Sequence, residues 1–554
     1  MHKKQSLTLS IPMRMEGFSG VALAISVIVF LGLSLHTLDQ FPIMDGLRWY
    51  GDETWMLLAW KHLLTHGTTI VPIALGSQLL SSPGLLLGSP WIAAIFYGFP
   101  QLLAPVGTDI VGVGRAVSFV LGIGVLGVLA GAAYRLRINM QCAALAIALL
   151  ATTRNFSFAT HGARYDILTG LALLAFVTVV ATLLHDSTNK RGGVKGMGSA
   201  TYLLIGAAGM FIPFTISPHL EVLLPPIVLF SAWRIGAIRS VKGTAAFVSG
   251  GMIGSVVIIL LYAVGNHTFS LASGISSDNQ FGSVLNNLPI RHLFSWSAQS
   301  HQLWAKGYYL WHEATLFAFV LPLILVSESY LLITKRTHHT TAFVTGCLLL
   351  ALLVALFVQS TLPYYLIHIL PLAALTFALH LKEWSKLSWS APSIAFASLA
   401  LTVVICFQSI PELIHAGRIG NRMSEANTAA IQAAVEQASR GWEPGGKKPL
   451  VLAQGPAIHE LLRDTSLRVM NESFLFFPLK QTNGYPPDTV MTREGVDYIL
   501  DYHKPMTAEY AAAVQRGKPI FSRIGPFLDR KVDYFKDTTS EMDTLTMYQF
   551  DPSK

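Results

Sequence analysis

The sequence predicts an α-helical polytopic membrane protein, with surface helices in its first outer loop and a small C-terminal soluble α/β domain. Three observations predict this class. Only 13% of the 554 residues are charged and 52% are hydrophobic, where a soluble globular chain carries about 25% charged residues. Apolar runs recur at about 20 residues, the length that crosses a bilayer core at about 1.5 Å rise per residue. Lys and Arg gather in alternate short loops between those runs, as they do in loops that stay in the cytoplasm.

The elements follow in order. The first apolar run comes after His2, Lys3, Lys4 and Arg14 and has no small-residue cleavage site, so it reads as an uncleaved anchor with its N-terminus in the cytoplasm. Spans are expected at 18–38, 113–133, 140–154, 166–184, 200–217, 219–233, 244–265, 313–333, 341–359, 364–381 and 391–410, about eleven transmembrane helices by length. The basic loops hold Arg135 and Arg137; Lys190, Arg191 and Lys195; Arg234, Arg239 and Lys242; Lys335 and Arg336; Lys382 and Lys386. With the start also inside, an odd number of spans puts all of these loops in the cytoplasm. The other loops and the C-terminal tail then face outward. The apolar stretch Leu85 to Leu103 is interrupted by Pro90 and Pro100. Counted as a span it would invert every later loop, so it reads as a helix along the outer surface within a long first loop, 39–112.

Residues 1–416 are thus expected to form a transmembrane domain and 417–554 an extracytoplasmic α/β domain. The tail is more polar. Lys448 to Ala453 reads as a strand with Pro449 at its start, where a missing N–H is tolerated. Ala457 to Arg463 reads as a helix and Val496 to Tyr502 as a second strand. Trp442 to Gly446 is a turn before the first of these strands.

Several function classes are excluded. Cys142, Cys347 and Cys406 lie inside apolar segments, with no disulfide framework and no CxxC pair. The chain has no GxxxxGK[ST] loop, no GxGxxG opening a helix after a soluble strand, and no HExxH pair. The net charge of +8 lies largely in the loop clusters, so it reports topology and not nucleic-acid binding.

The outer face carries the chemistry. Asp45 to Trp55 opens the first loop and contains the adjacent acids Asp52 and Glu53. A carboxylate there can act as a general base; equally, the pair can cap the apolar helix that follows and complement its dipole. Arg115 stands at the outer end of the second span, suited to a lipid phosphate through bidentate hydrogen bonds or to snorkelling among headgroups. The second outer loop, Thr153 to Asp166, contains His161 and ends in Arg164 and Asp166 at the edge of an apolar span. Ionisable residues there are costly and carry a functional expectation, against the alternative of a local ion pair. His219 and Glu221 lie between two closely spaced spans, as ligand, base or satisfied interfacial groups. Tyr364 and Tyr365 open a late span, either as an aromatic belt or in contact with a lipid-linked sugar or phosphate. The loop from Asn266 to His312 carries Arg291, His292, His301 and several aromatic residues, and yields no mechanism beyond lining an outer cleft.

In that order these residues resemble the C-type membrane glycosyltransferases, within them the dolichyl-phosphate-mannose protein mannosyltransferase and aminoarabinose transferase-like group. The likeness covers roughly residues 15–410. It implies an enzyme of the EC 2.4 class that moves a sugar from a polyprenyl-phosphate donor to an extracytoplasmic acceptor (protein, lipid or polysaccharide) with inversion. It is implied to be a multi-pass protein of the inner (plasma) membrane, with no nucleic acid as partner. The family's first-loop acid would fall on Asp52 with Glu53 beside it, its span-head Arg on Arg115, and its second-loop acid on Asp166 with Arg164 nearby. Arg115, Arg164, Tyr364 and Tyr365 would meet the donor phosphate, and His219, Glu221 and His161 are further candidates. A divalent cation could assist through the carboxylates, since a hard ion prefers oxygen ligands; no cofactor is required by the sequence.

Two departures stand out. Relatives often carry Lys-Pro-Pro-Leu in the first loop where this chain has Ser81-Ser82-Pro83-Gly84-Leu85, and Lys-Gly-Pro in a later turn where it has Ser217-Pro218-His219. The alternative reading is a transporter or lipid flippase of a glycolipid pathway. That class places ionisable or broken-helix segments near the bilayer midplane, whereas here they cluster at outer span ends.

Overall fold

The computed structural model describes residues 12–37, 56–57, 60–65, 91–105, 110–189, 197–266, 296–336, 338–357, 363–386, 400–440, 442, 446–453, 461, 467–471, 487–501, 508–525 and 543–551. Asp52, Glu53, the segment Ser81–Leu85 and nearly all of the helix expected at Ala457–Arg463 lie outside them.

Helices dominate. In chain order they are α1 (Pro12–Thr37), α2 (Trp91–Leu103), α3 (Ile110–Arg135), α4 (Met140–Ala151), α5 (Arg154–His161), α6 (Asp166–Asn189), α7 (Ser199–Ile216), α8 (Pro218–Arg234), α9 (Val241–Asn266), α10 (Trp296–Glu313), α11 (Thr315–Ile333), α12 (His339–Phe357) and α13 (Leu370–Trp384). A 3₁₀ helix, Pro363–His368, leads into α13, and α14 (Ile410–Ser439) leads out of the apolar region. Among the described residues, 6 helices are long and apolar enough to cross a membrane, and up to 7 if the bent pair α4–α5 is one span. The chain is a multi-pass membrane protein.

The junctions follow from local sequence. Asn139 accepts a hydrogen bond from Gln141 N (3.0 Å) and caps α4. Ser217 ends α7 in extended backbone and accepts from Leu220 N at the start of α8, where Pro218 takes the first turn without a missing donor. Helices α7 and α9 pack backbone to backbone. A Cβ on Gly206 would collide with Phe247 O, and one on Gly250 with Leu203 O. Gly250 and Gly254 stand four apart, the small-residue spacing that lets membrane helices approach closely.

Two segments differ from expectation in a useful way. The stretch Thr153 to His161, expected as a loop, is the short helix α5, bent 65° from α4. Its polar residues Arg154, Asn155, Ser157, Thr160 and His161 are all buried, so it closes one end of the helix bundle from within. The second half of the loop expected between Asn266 and His312 forms α10. Helix α2 spans Trp91–Leu103 with a π-turn at Ala94–Gly98. At about 20 Å it is too short for a bilayer core of about 30 Å.

The tail holds one five-stranded sheet in the order β2-β1-β3-β5-β4, built from β1 (Leu450–Ala453), β2 (Arg468–Asn471), β3 (Tyr498–Asp501), β4 (Lys518–Gly525) and β5 (Asp543–Gln549). β1 runs parallel to β2 and β3, and β5 antiparallel to β3 and β4. Alternate strand residues feed two cores. Val451, Ala453, Leu500 and Met547 pack with Ala430, Ile431, Ala434 and Ala438 of α14. Leu450, Leu452 and Ile499 pack with Met491, Ala513 and Phe550 on the other face.

Candidate active site

Asp166 begins α6, where the helix dipole favours an anion. Both of its carboxylate oxygens are engaged. Arg164 Nε donates to Oδ2 at 2.8 Å, and His368 Nε2 lies 3.0 Å from Oδ1. All three side chains are buried. They meet because α6 and the 3₁₀ helix nearly touch: a Cβ on Gly170 would lie 2.7 Å from the carbonyl oxygen of Ile367. Only glycine permits that approach, and it brings His368 onto Asp166 across 202 residues of chain.

The strand of backbone that carries Arg164 is held from a second side. Tyr97 Oη donates to the Arg164 carbonyl at 2.6 Å and pairs with Ser118 Oγ at 2.9 Å, while Ser118 Oγ donates to the Gly162 carbonyl at 2.5 Å. Tyr97 is stacked on Trp60, and Trp60 meets Tyr165 edge-on. Helix α2 thus anchors the site, which is the reason its polar Tyr97 is buried among apolar neighbours.

On the other side, Thr169 Oγ1 and Ser217 Oγ lie 2.8 Å apart, tying α6 to the turn that carries His219. The His219 ring sits 4.0 Å from the Tyr365 ring, 5.0 Å from His368 and 5.9 Å from Tyr165, centroid to centroid. Its Nε2 is buried with no hydrogen-bond partner.

The remaining expected residues fall as follows. Arg115 is fully buried on α3, within electrostatic range of His161 on α5; His161 Nδ1 hydrogen-bonds the Ser157 carbonyl. Glu221 is half-buried on α8 two residues beyond His219. Tyr364 belongs to the 3₁₀ helix, with its side chain outside the described residues. The structure therefore brings Arg164, Asp166, His219 and Tyr365 together. It adds His368, Tyr97, Ser118 and Gly170, which sequence reasoning missed. His368 had a signal: it sits one helical turn beyond Tyr364–Tyr365, in a segment already singled out.

Among the described residues no group of three His, Cys, Asp or Glu side chains is placed to hold a divalent cation; Asp52 and Glu53 lie outside them. Elsewhere on the same bundle, Arg154 Nε and Glu313 Oε2 form a buried ion pair at 3.4 Å.

No protein-family model and no curated protein matches the sequence. Solved structures do match. ArnT from Cupriavidus metallidurans in the apo state superposes with a TM-score of 0.54 at 13% identity, covering 96% of this chain and 98% of that one. The same protein bound to undecaprenyl phosphate gives 0.50 at 12% identity, with the same coverage of 96% and 98%. The Archaeoglobus fulgidus oligosaccharyltransferase in complex with Zn and sulfate gives 0.50 at 14% identity, over 89% of this chain and 69% of that one. The chain shares its fold with these structures.

Proposed function

We propose that this protein transfers a sugar from a polyprenyl-phosphate donor to an acceptor outside the cytoplasm, with inversion at the anomeric carbon. Two observations together support the reading. The chain shares its fold, almost end to end, with ArnT, which was crystallised with undecaprenyl phosphate, and it has a buried Arg–Asp–His constellation at the end of an apolar helix.

The chemistry suits that constellation. The bond from the anomeric carbon to the phosphate oxygen breaks as the acceptor oxygen bonds to that carbon from the opposite face. Negative charge grows on the leaving polyprenyl phosphate, where a fixed guanidinium stabilises it. Arg164, braced by Asp166 and by the Tyr97 contact to its carbonyl, is the preorganised cation, and Arg115 is the second. The acceptor proton goes to a carboxylate, for which the sequence offers Asp52 with Glu53 beside it. Asp166 orients Arg164 in this scheme.

In the same reading, eleven spans place the N-terminus in the cytoplasm and put residues 417–554 outside, over the cleft, where they select the acceptor. The test is direct. Purified protein is given a polyprenyl-phosphate sugar, and release of free polyprenyl phosphate is measured by thin-layer chromatography. Wild type should release it, Asp52→Asn should not, and Arg115→Gln should need more donor. Donor that crosses a vesicle membrane intact, with no release by wild type, would mean a transporter instead.

A further inference from the structure

We infer that His219 is the residue that recognises the donor's phosphate, and that His368 is a positioning residue that holds the pocket in shape; this rests on the glycosyltransferase reading. The observation is an imbalance within one cluster. Asp166 is fully used, with one oxygen on Arg164 and the other on His368. His219 lies beside that trio, its ring fixed between Tyr365, His368 and Tyr165. Yet its Nε2 is buried and bonded to nothing. Buried polar atoms in folded proteins are nearly always paired, and one left open in a rigid setting calls for a partner.

The chemistry of that partner follows from what surrounds the ring. The groups facing His219 are Arg164, Asp166, His368, Tyr165 and Tyr365, with Glu221 further along its own helix. One carboxylate balances one guanidinium and His368 Nε2 is spent on that carboxylate, which leaves the His219 imidazole to donate N–H to an anion. A phosphate oxygen accepts such a bond without needing a proton of its own. A neutral sugar hydroxyl gains less from the neighbouring guanidinium charge than a phosphate does, so the imidazole N–H and that charge together favour the anion. The tilted ring contacts with Tyr365 and Tyr165 set the direction of Nε2 before the ligand arrives, which lowers the ordering cost of binding.

The experiment uses the full-length protein in detergent and two probes, undecaprenyl phosphate and the uncharged alcohol undecaprenol, with binding read by quenching of intrinsic tryptophan fluorescence. His219→Phe keeps an aromatic ring against Tyr365 and removes the nitrogen. It should bind undecaprenyl phosphate about tenfold or more weakly, bind undecaprenol as wild type does, and melt at the wild-type temperature. His219→Gln, whose amide N–H reaches to a similar place, should recover most of the phosphate preference. His368→Gln should show a partial loss that falls on both probes, because it loosens the pocket as a whole. If wild type binds the phosphate no better than the alcohol, the glycosyltransferase reading fails and this inference with it. If wild type discriminates and His219→Phe discriminates equally well, the inference alone is overturned.

Discussion

Two buried histidine clusters lie toward opposite ends of the helical bundle, and they are built on opposite principles. Toward the basic loops, His380 of α13 is saturated. Its Nδ1 pairs with Ser327 Oγ at 2.7 Å and its Nε2 with Thr345 Oγ1 at 3.0 Å, and Glu328 stands 3.5 Å away. Every partner comes from α11 or α12, so the network fastens three helices and leaves nothing open. At the other end, His368 shares one carboxylate with Arg164, and His219 beside them has an Nε2 with no partner. A saturated network rigidifies and specifies packing. An unsaturated one, held equally rigidly, is a place for a ligand. Burial of ionisable side chains in a bilayer region is therefore not a sufficient sign of function; the count of unfilled hydrogen-bonding positions separates the two clusters.

That contrast can be broken or sharpened by substitution. The largest effect is expected for Asp166→Ala, which strips Arg164 and His368 of their shared partner. Two charge-assisted hydrogen bonds at about 1.5 kcal/mol each correspond to roughly 100-fold in rate, so polyprenyl phosphate release per folded molecule should fall about that far, and the melting temperature should fall as well because a buried guanidinium is left unpaired. Next comes Gly170→Ala. Its Cβ meets the Ile367 carbonyl at 2.7 Å, so the 3₁₀ helix must move by a few tenths of an ångström, and His368 with it. Release should fall about tenfold; an unchanged rate would mean that the close approach is incidental. His380→Phe should do the reverse, lowering stability by about 1–3 kcal/mol in a chemical denaturation series with transfer per folded molecule unchanged. If it abolished transfer in folded protein, the two clusters would not differ in kind.

The smallest effect concerns Lys306 on α10, outside the spans, whose Nζ donates to the Leu356 carbonyl at 2.6 Å. Burial lowers its pKa from 10.5 to about 8. The folded state then binds fewer protons than the unfolded state between about pH 8 and 10.5, so stability rises with pH across that window. Melting temperatures of wild type relative to Lys306→Met should climb modestly from pH 8 to 10. A flat difference would mean that the ammonium is solvated.

Much of this was legible in the sequence, and the limits have physical causes. Apolar length and the placement of Lys and Arg mark the helices, because the bilayer imposes both. Arg164 and Asp166 are conspicuous because charge at a span edge is costly. The two tail strands read from Lys448–Ala453 and Val496–Tyr502 correspond to β1 and β3, since a short apolar run between turn residues has few other uses. What did not read was partnership over distance. His368 meets Asp166 only through the missing side chain of Gly170, and Tyr97 reaches Arg164 only because a π-turn in α2 turns it inward. No local pattern encodes either contact. Helix α5 was taken for a loop because its residues are polar; its burial depends on neighbours that only the tertiary fold supplies.

The continuous helix α14 has a mechanical consequence. Its 30 residues rise about 45 Å. Its far end is embedded in the sheet through Ala430, Ile431, Ala434 and Ala438, and its near end follows directly on a π-turn at Ile405–Ser409. A shaft of that length with no joint cannot let the sheet drift independently of the bundle. Tilting the sheet must lever the shaft about its root, where the extra residue of the π-turn offers the least resistance. Whatever the sheet grips, its motion is geared to helix α1, against which the shaft leans.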